Sequence, residues 1–141
     1  MQQAHPLACA AAIAAQNIIQ RDNLLQRVVD VGQKLETILR RDIGPLPLVG
    51  DIRGRGLFWA VEFVLDKTTK EPFPFEANFS NKVVASALKR GVNILGNLGH
   101  TGTYQVDHVL VCPPYIATEG DIEQIVTLVK DAIVETSEQF A

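Results

Sequence analysis

The sequence predicts an α+β domain, in which helices cover a small mixed or antiparallel sheet to form two layers. Three observations predict it: amphipathic helical patterns towards both ends, short β-type runs between them, and glycine or proline at the boundaries. With 141 residues, of which 47% are hydrophobic, the chain fits one domain, residues 1–141, with a single core. We expect the order α-α-β-β-α-β-β-α.

Two helices are predicted first. Pro6 suits the first position of a helix, and apolar residues follow at helical spacing: Leu7, Ala8, Ala11, Ala12, Ala15, Ile18 and Ile19. So many small apolar residues predict that this helix is buried on more than one side. Asp22 and Asn23 are expected to end it and to cap the second helix, which stops at Gly44.

The central strand is predicted within residues 49–63, where a glycine-rich turn precedes a run of aromatic and branched side chains. A short strand at residues 48–53 leads into it. The polar segment that follows carries two prolines and is predicted as a surface loop. Asn78 or Ser80 is expected to cap the third helix, which ends at Gly91.

Two more strands, at residues 92–95 and 108–112, flank a glycine-rich stretch at residues 96–107. This stretch lacks the lysine and hydroxyl ending of a phosphate loop, so we interpret it as a mobile loop beside a pocket. Thr118, with Asp121 three residues later, has the pattern of a capping box and opens the terminal helix.

Composition excludes several classes of function. The net charge of −3 argues against general nucleic-acid binding, and no apolar run reaches the length of a membrane span. The histidines His5, His100 and His108 lie far apart in the chain, and no cluster has metal-ligand spacing. Cys9 and Cys112 are expected to be buried thiols, a usage that suits a reducing compartment, cytoplasmic or mitochondrial.

Arg53 and Arg55 alternate with glycines just before the central strand. A guanidinium at the mouth of a pocket can bind a carboxylate or phosphate through two parallel hydrogen bonds. The alternative is a structural ion pair with Asp51 or Glu62, which lie on either side of these arginines in the sequence. No constellation is sufficient for catalysis, so no catalytic residue and no metal site are assigned in this chain.

Four stretches, taken in order, resemble the C-terminal small domain of class III aminotransferases, which are pyridoxal-phosphate-dependent enzymes of fold type I. They read HPLACAAAIA, NLLQRVVDVGQKL, LVGDIRGRGLFWAVEFV and VCPPYIATEGDIEQIV. The third resembles the family's D-[IV]-R-G-x-G-L-x-x-x-[VIL]-E signature, and the fourth its PPL-[IV]-[IT]-T ending. The similarity covers nearly the whole chain, and four pieces at compatible spacing make it specific.

The resemblance implies transfer of an amino group between an amine or amino acid and a keto acid, with pyridoxal phosphate as electron sink. In the family, the lysine that carries the cofactor and the aspartate that pairs with its ring nitrogen belong to a large domain. None of the lysines here matches that context, so we expect this chain to bind no stoichiometric cofactor and to be inactive alone. Implied partners are the large domain and a second copy, met through apolar surface on the first helix.

Two departures from the family pattern limit what the resemblance implies, one for the substrate and one for the cofactor phosphate. Members that take α-amino acids or glutamate usually carry an arginine three residues before the paired prolines, and Leu110 stands there. This favours amines or ω-amino acids as substrates, or binding of the substrate carboxylate by residues elsewhere in the enzyme, and His100 and Tyr104 are available for polar contacts. Met1 stands where the family commonly has a threonine that reaches the partner subunit's cofactor phosphate. The residues also leave open a non-catalytic module that binds through the arginine turn, or a regulatory domain that pairs with full-length subunits.

Overall fold

The computed structural model describes residues 5–101 and 104–140, so Met1 lies outside the described residues. The predicted order of helices and strands is confirmed. The elements are α1 (Pro6–Arg21), α2 (Leu24–Ile38) with a π-helical turn at Leu39–Ile43, β1 (Val49–Arg55), β2 (Phe58–Phe63), α3 (Phe79–Lys89), β3 (Leu95–Thr101), β4 (Tyr104–Val111) and α4 (Glu119–Ser137).

The four strands form one sheet in the order β1-β2-β4-β3, and every neighbouring pair is antiparallel. The sheet is therefore antiparallel rather than mixed. Its register brings distant segments into line: Arg53 lies opposite Ala60, Ala60 opposite Leu110, and Leu110 opposite Leu95. These four residues form one row across the whole sheet.

One face of the sheet forms the core with the helices. Trp59, Val61 and Phe63 of β2 and Val109 and Val111 of β4 alternate towards this face, and each is at most 2% exposed. They belong to one hydrophobic cluster with buried residues of α2, α3 and α4. The fold is thus a sheet covered by helices on one side, as the sequence predicts.

The N-terminus of α3 is capped from the sheet, which the sequence analysis missed. Asn78 has a left-handed backbone conformation (φ 51°) and makes no side-chain cap to this helix. Instead, the carboxylate of Asp107, 1% exposed, accepts hydrogen bonds from the backbone N–H groups of Phe79 (3.2 Å) and Ser80 (2.9 Å). The expectation that Asn78 or Ser80 caps this helix is wrong, because a strand 27 residues further along supplies the acceptor.

Helix α2 packs against the turn between β1 and β2 at a very close approach. A methyl group built on Gly32 would lie 2.7 Å from the backbone of Gly56. Gly56 itself has a φ of +58°, a conformation that favours glycine, and its carbonyl accepts a hydrogen bond of 2.7 Å from the indole of Trp59. The turn, the helix and the buried indole therefore position one another.

The segment between β4 and α4 is held in place by the Arg27 side chain of α2 and by the N-terminal capping box of α4. The Arg27 guanidinium donates to the carbonyls of Tyr115 (3.2 Å) and Ala117 (2.5 Å). Thr118 and Asp121 form the predicted capping box, with each side chain accepting from the other residue's backbone N–H. This part of the chain is fixed although Tyr115 and Ile116 are exposed.

Four local expectations are wrong. Of the stretch interpreted as a loop, residues 96–101 and 104–107 belong to the paired strands β3 and β4, and the strand placed at residues 92–95 begins only at Leu95. Asn23 adopts a left-handed conformation and makes no side-chain cap to α2. Helix α1 has no buried residue, since the small side chains that fit a close partner meet none within the described chain.

Among the described residues, no helix combines the length and apolarity needed to cross a membrane.

Candidate functional site

The candidate site is the face of the sheet that the helices do not cover, which we call the open face. It carries Asp51, Arg53 and Arg55 of β1, Phe58, Ala60 and Glu62 of β2, Leu95 of β3, His108 and Leu110 of β4, and Cys112 just beyond β4. All of them are exposed or half-buried. Successive side chains of a strand point to opposite faces of the sheet. The residues next to the buried ones in each strand therefore lie on the open face.

Arg53 is held by two carboxylates of the open face. Its Nη1 atom donates to Asp51 Oδ2 at 2.9 Å and lies 2.5 Å from Glu62 Oε2. The hydrogen bonds to Glu62 and then to Asp51 raise the pKa of the Arg53 guanidinium. Of the two readings of this arginine, the structure contains the ion pair. Two carboxylates against one guanidinium leave this cluster with a net negative charge.

Arg55 lies on the same face, opposite Phe58, and is exposed. Among the described residues it makes neither an ion pair nor a side-chain hydrogen bond. The two arginines of the turn thus differ: Arg53 is neutralised by its neighbours, and Arg55 is available to an anion.

Leu110 is half-buried in the row that runs from Arg53 through Ala60 to Leu95. Next to it lies a shallow hollow of about 240 Å³ lined by Phe58, Asn93, Ile94, Leu95, Leu110 and Cys112. Phe58 and Leu95 are 61% and 65% exposed, although both are large and apolar. The surface around Leu110 is therefore apolar, with the charged cluster of Arg53 two strands away.

His108 is a residue of the open face that sequence reasoning did not select. It lies opposite Glu62 on one side and Asn97 on the other. Its Nδ1 atom is buried and has no hydrogen-bond partner among the described residues, which is uncommon because buried polar atoms are usually paired. The alternation of β4 around Val109 and Val111 could have placed His108 on this face, but nothing local indicates the unpaired nitrogen.

His100 and Tyr104 lie in β3 and β4, one pair apart in the ladder, since His100 pairs with Gln105 and Tyr104 with Thr101. The two side chains fall outside the part of the chain that is described. Their proposed polar contacts to a substrate stay a prediction.

No group of three or more histidine, cysteine, aspartate and glutamate residues within the described ranges could hold a metal ion.

The two thiols are exposed, which corrects the expectation that both are buried. Cys9 lies on α1 and Cys112 just beyond the end of β4, and no element of the described ranges covers either thiol. Partial burial raises the pKa of the Cys112 thiol above its ordinary value, with a smaller opposing effect from a hydrogen bond to the backbone at Trp59.

Both thiols are expected to react with a disulfide reagent in the folded chain, without denaturant. Because the thiolate is the reactive form, modification of Cys112 should be slow at neutral pH and should accelerate as the pH rises through its raised pKa. Reaction with 5,5′-dithiobis(2-nitrobenzoate), followed at several pH values on the chain and on Cys9→Ser, measures this. A thiol that reacts only after unfolding would contradict the exposed placement.

Comparison with known proteins gives a single consistent family. The profile described as aminotransferase class-III matches residues 3–133. An uncharacterized aminotransferase of Schizosaccharomyces pombe is 41% identical over 134 residues, which are 95% of this chain and 29% of that protein. The taurine–pyruvate aminotransferase of Bilophila wadsworthia is 37% identical over 131 residues, or 93% of this chain and 28% of that protein.

Solved structures agree with the sequence matches. A transaminase from a study of ancestral reconstruction superposes with a TM-score of 0.87 and 35% identity, over 97% of this chain and 29% of that one. The PMP-bound aminotransferase of Vibrio fluvialis superposes with a TM-score of 0.87 and 28% identity, over 97% and 28%. The chain spans less than a third of the length of these relatives.

Proposed function

The chain belongs to the class III aminotransferase family, and we propose that it is the C-terminal small domain of a pyridoxal-phosphate-dependent transaminase. The intact enzyme would move an amino group between an amine or ω-amino acid and a keto acid. The observation that carries this proposal is the family match over residues 3–133, together with a superposition on transaminases that includes nearly the whole chain.

The residues of this chain do not themselves fit pyridoxal phosphate. All six lysines lie in the described ranges, and none lies in a buried pocket: Lys67, Lys70, Lys82 and Lys89 are exposed, and Lys34 and Lys130 are half-buried on helices. Lys34 pairs with Glu119 and Glu123 (2.6 and 2.7 Å).

Nor do the helix N-termini of α3 and α4 suit a phosphate. Carboxylates of the chain already occupy them, that of Asp107 at α3 and that of Asp121 at α4. When bound in the intact enzyme, the cofactor supplies the electron sink. Its lysine and its phosphate contacts would come from the larger parent protein, and the chain alone would be inactive.

The open face is the proposed substrate side. Leu110 presents an alkyl group where a carboxylate-binding arginine would otherwise stand, and Arg53 is already neutralised by Asp51 and Glu62. The net negative cluster of Arg53, Asp51 and Glu62, together with the alkyl group of Leu110, disfavours a carboxylate at this row and suits an amine or the alkyl part of an ω-amino acid. Arg55, His100 and Tyr104 are the remaining candidates for contact with a keto acid.

The partners we propose are the large domain of the parent enzyme and a second subunit in a homodimer. The open face carries exposed Phe58 and Leu95, and within the described part of the chain no group bonds to the buried His108 Nδ1 atom. Both features support the proposal that another domain or subunit contacts the open face and covers these groups.

A chimaera tests the proposal. This chain would replace the matching segment of the Schizosaccharomyces pombe relative, to which it is 41% identical. We expect the chimaera to bind pyridoxal phosphate and to transfer an amino group from an amine or ω-amino acid to pyruvate, and the isolated chain to do neither. A stable, stoichiometric cofactor band in the isolated chain after dialysis, or a folded chimaera without transaminase activity, would refute it.

A further inference from the structure

The two arginines of the open face differ in what holds their charge. Arg53 donates to Asp51 and lies against Glu62, so both carboxylates of this cluster are engaged. Arg55, two positions further along β1, is exposed and has no ion pair or side-chain hydrogen bond within the described ranges. A free guanidinium presents two parallel N–H donors, which fit the two oxygens of a carboxylate. Arg55 is therefore the arginine of this face that can bind an anion.

An apolar hollow lies one strand away from Arg55. Cross-strand pairing places Arg55 opposite Phe58, and Phe58 lines the hollow of about 240 Å³. Neighbouring strands are about 4.8 Å apart. An extended arginine side chain is longer than this spacing, so the Arg55 guanidinium can reach the rim of the hollow past Phe58. None of the described residues that line the hollow is charged at neutral pH: Phe58, Asn93, Ile94, Leu95, Leu110 and Cys112.

The size and the lining of the hollow limit what it can accept. Sites for drug-sized ligands span about 300–1,000 Å³, so a hollow of about 240 Å³ suits a small metabolite. Leu95 is 65% exposed and Leu110 is half-buried, and both present alkyl surface. A carboxylate inside the hollow would lose water without gaining a cation, which costs free energy. A fitting ligand therefore has its carboxylate at Arg55 and an uncharged chain in the hollow.

We propose that Arg55 and this hollow together form the subsite for the keto acid of the transaminase reaction. Arg55 binds the carboxylate, and the hollow takes the carbon chain. The subsite selects small α-keto acids with an uncharged, apolar chain. The proposal rests on the proposed function and adds to it the residue that binds the acceptor and the chemical class of that acceptor.

A pair of acceptors tests the role of Arg55 in the chimaera. 2-Oxobutanoate carries a carboxylate, and propanal is the same chain without it. We expect Arg55→Gln to lower kcat/KM for 2-oxobutanoate at least about 10-fold, because hydrogen bonds to a charged group are lost, and to leave kcat/KM for propanal within about twofold. Arg55→Lys keeps the charge but not the paired donors, so its kcat/KM for 2-oxobutanoate should lie between the two.

Arg41→Gln is the matched control, because it removes the same charge from an exposed arginine. Arg41 lies on the π-helical turn after α2 and pairs with Asp42 at 2.7 Å. The control should leave kcat/KM for both acceptors unchanged. The role of Arg55 would be refuted if Arg55→Gln lowered kcat/KM for propanal as much as for 2-oxobutanoate, or if Arg41→Gln had the same effect as Arg55→Gln.

A second pair of acceptors tests the hollow. 2-Oxopentanoate and 2-oxoglutarate have the same chain length, but only 2-oxoglutarate ends in a second carboxylate. In the chimaera we expect kcat/KM to be at least about 10-fold higher for 2-oxopentanoate, because no cation lines the hollow. Leu95→Lys adds a cation there and should reduce this preference. Equal use of the two acceptors by the unsubstituted chimaera, or a preference for 2-oxoglutarate, would overturn the proposal.

The outcomes separate this subsite from the proposed function. If the chimaera transfers amino groups and Arg55→Gln affects both acceptors alike or neither, the subsite is wrong and the proposed function stands. If the chimaera folds but transfers no amino group, the proposed function fails, and calorimetric titration with 2-oxobutanoate then decides the subsite. Binding that Arg55→Gln abolishes would support the subsite. Equal binding by the two proteins, or no binding, would overturn it.

Discussion

Replacing Asp107 with alanine is expected to lower the free energy of unfolding by about 2–4 kcal/mol, because two buried N–H groups at the start of α3 lose their acceptor. The carboxylate is 1% exposed and accepts from Phe79 and Ser80. Phe79 also packs against the rings of Phe63 and Phe73 in the core, so displacement of the helix start reaches that cluster. Urea denaturation followed by circular dichroism measures the loss.

Two further variants test whether the loss comes from the hydrogen bonds that the Asp107 carboxylate accepts. Asp107→Asn keeps one acceptor oxygen and should lose less stability than Asp107→Ala, which also provides a measurable protein if the alanine variant does not fold. Asp131→Ala removes an exposed carboxylate of α4 that has no hydrogen bond or ion pair among the described residues, and should change stability by less than about 0.5 kcal/mol. A loss below about 1 kcal/mol for Asp107→Ala would show that the cap contributes little.

The second large effect is expected from Gly32→Ala, with a net loss of about 2 kcal/mol. The added methyl group would lie 2.7 Å from the Cα, C and O atoms of Gly56. Backbone cannot move aside as a flexible side chain can, so α2 has to retreat from the turn and strain the Trp59 hydrogen bond to the Gly56 carbonyl. This strain must exceed the gain of about 1 kcal/mol that alanine brings to a helix interior.

Gly120→Ala is the matched control, since it is the same substitution in the first turn of α4. The nearest atom to its added methyl group is Thr118 Oγ1 at 3.8 Å, an ordinary contact. There we expect no loss, and a gain of up to about 1 kcal/mol from helix propensity. Thermal and urea denaturation of the two variants should therefore move in opposite directions; a stabilised Gly32→Ala protein would contradict the close contact.

Features that depend on neighbours in the sequence were predicted well. The capping box of Thr118 and Asp121 is complete within four residues, and its pattern is visible without any structure. The order of helices and strands follows in the same way from periodicity and from glycine and proline at the boundaries.

Features that depend on distant partners were missed or wrong. The acceptor for the start of α3 lies 27 residues away, so local residues such as Asn78 looked like the cap. Residues 96–107 hold three glycines and favour a loop locally, yet pairing between β3 and β4 overrides that preference. The small apolar residues of α1 predicted burial, yet none of its residues is buried among the described residues, because no other element of the chain covers it there.

The candidate site was predicted in part. Arg53, Arg55 and Leu110 were selected from the sequence, and the register places all three on one face. The ion pair of Arg53 with Asp51 follows from their spacing of two along β1, whereas its contact with Glu62 depends on the cross-strand pairing of β1 and β2. His108 was missed because its unpaired nitrogen is a property of the assembled sheet.

The two edges of the sheet differ in a way that affects how the chain is handled in solution. At the β1 edge the Lys70 ammonium donates to the Gly50 carbonyl, and Asp51, Arg53 and Arg55 carry charge. The β3 edge, Leu95–Thr101, has no lysine, arginine, aspartate, glutamate or proline. Such an edge accepts strands from other molecules. At high protein concentration the chain should therefore aggregate first by strand pairing at the β3 edge. One lysine introduced on that strand should reduce this aggregation.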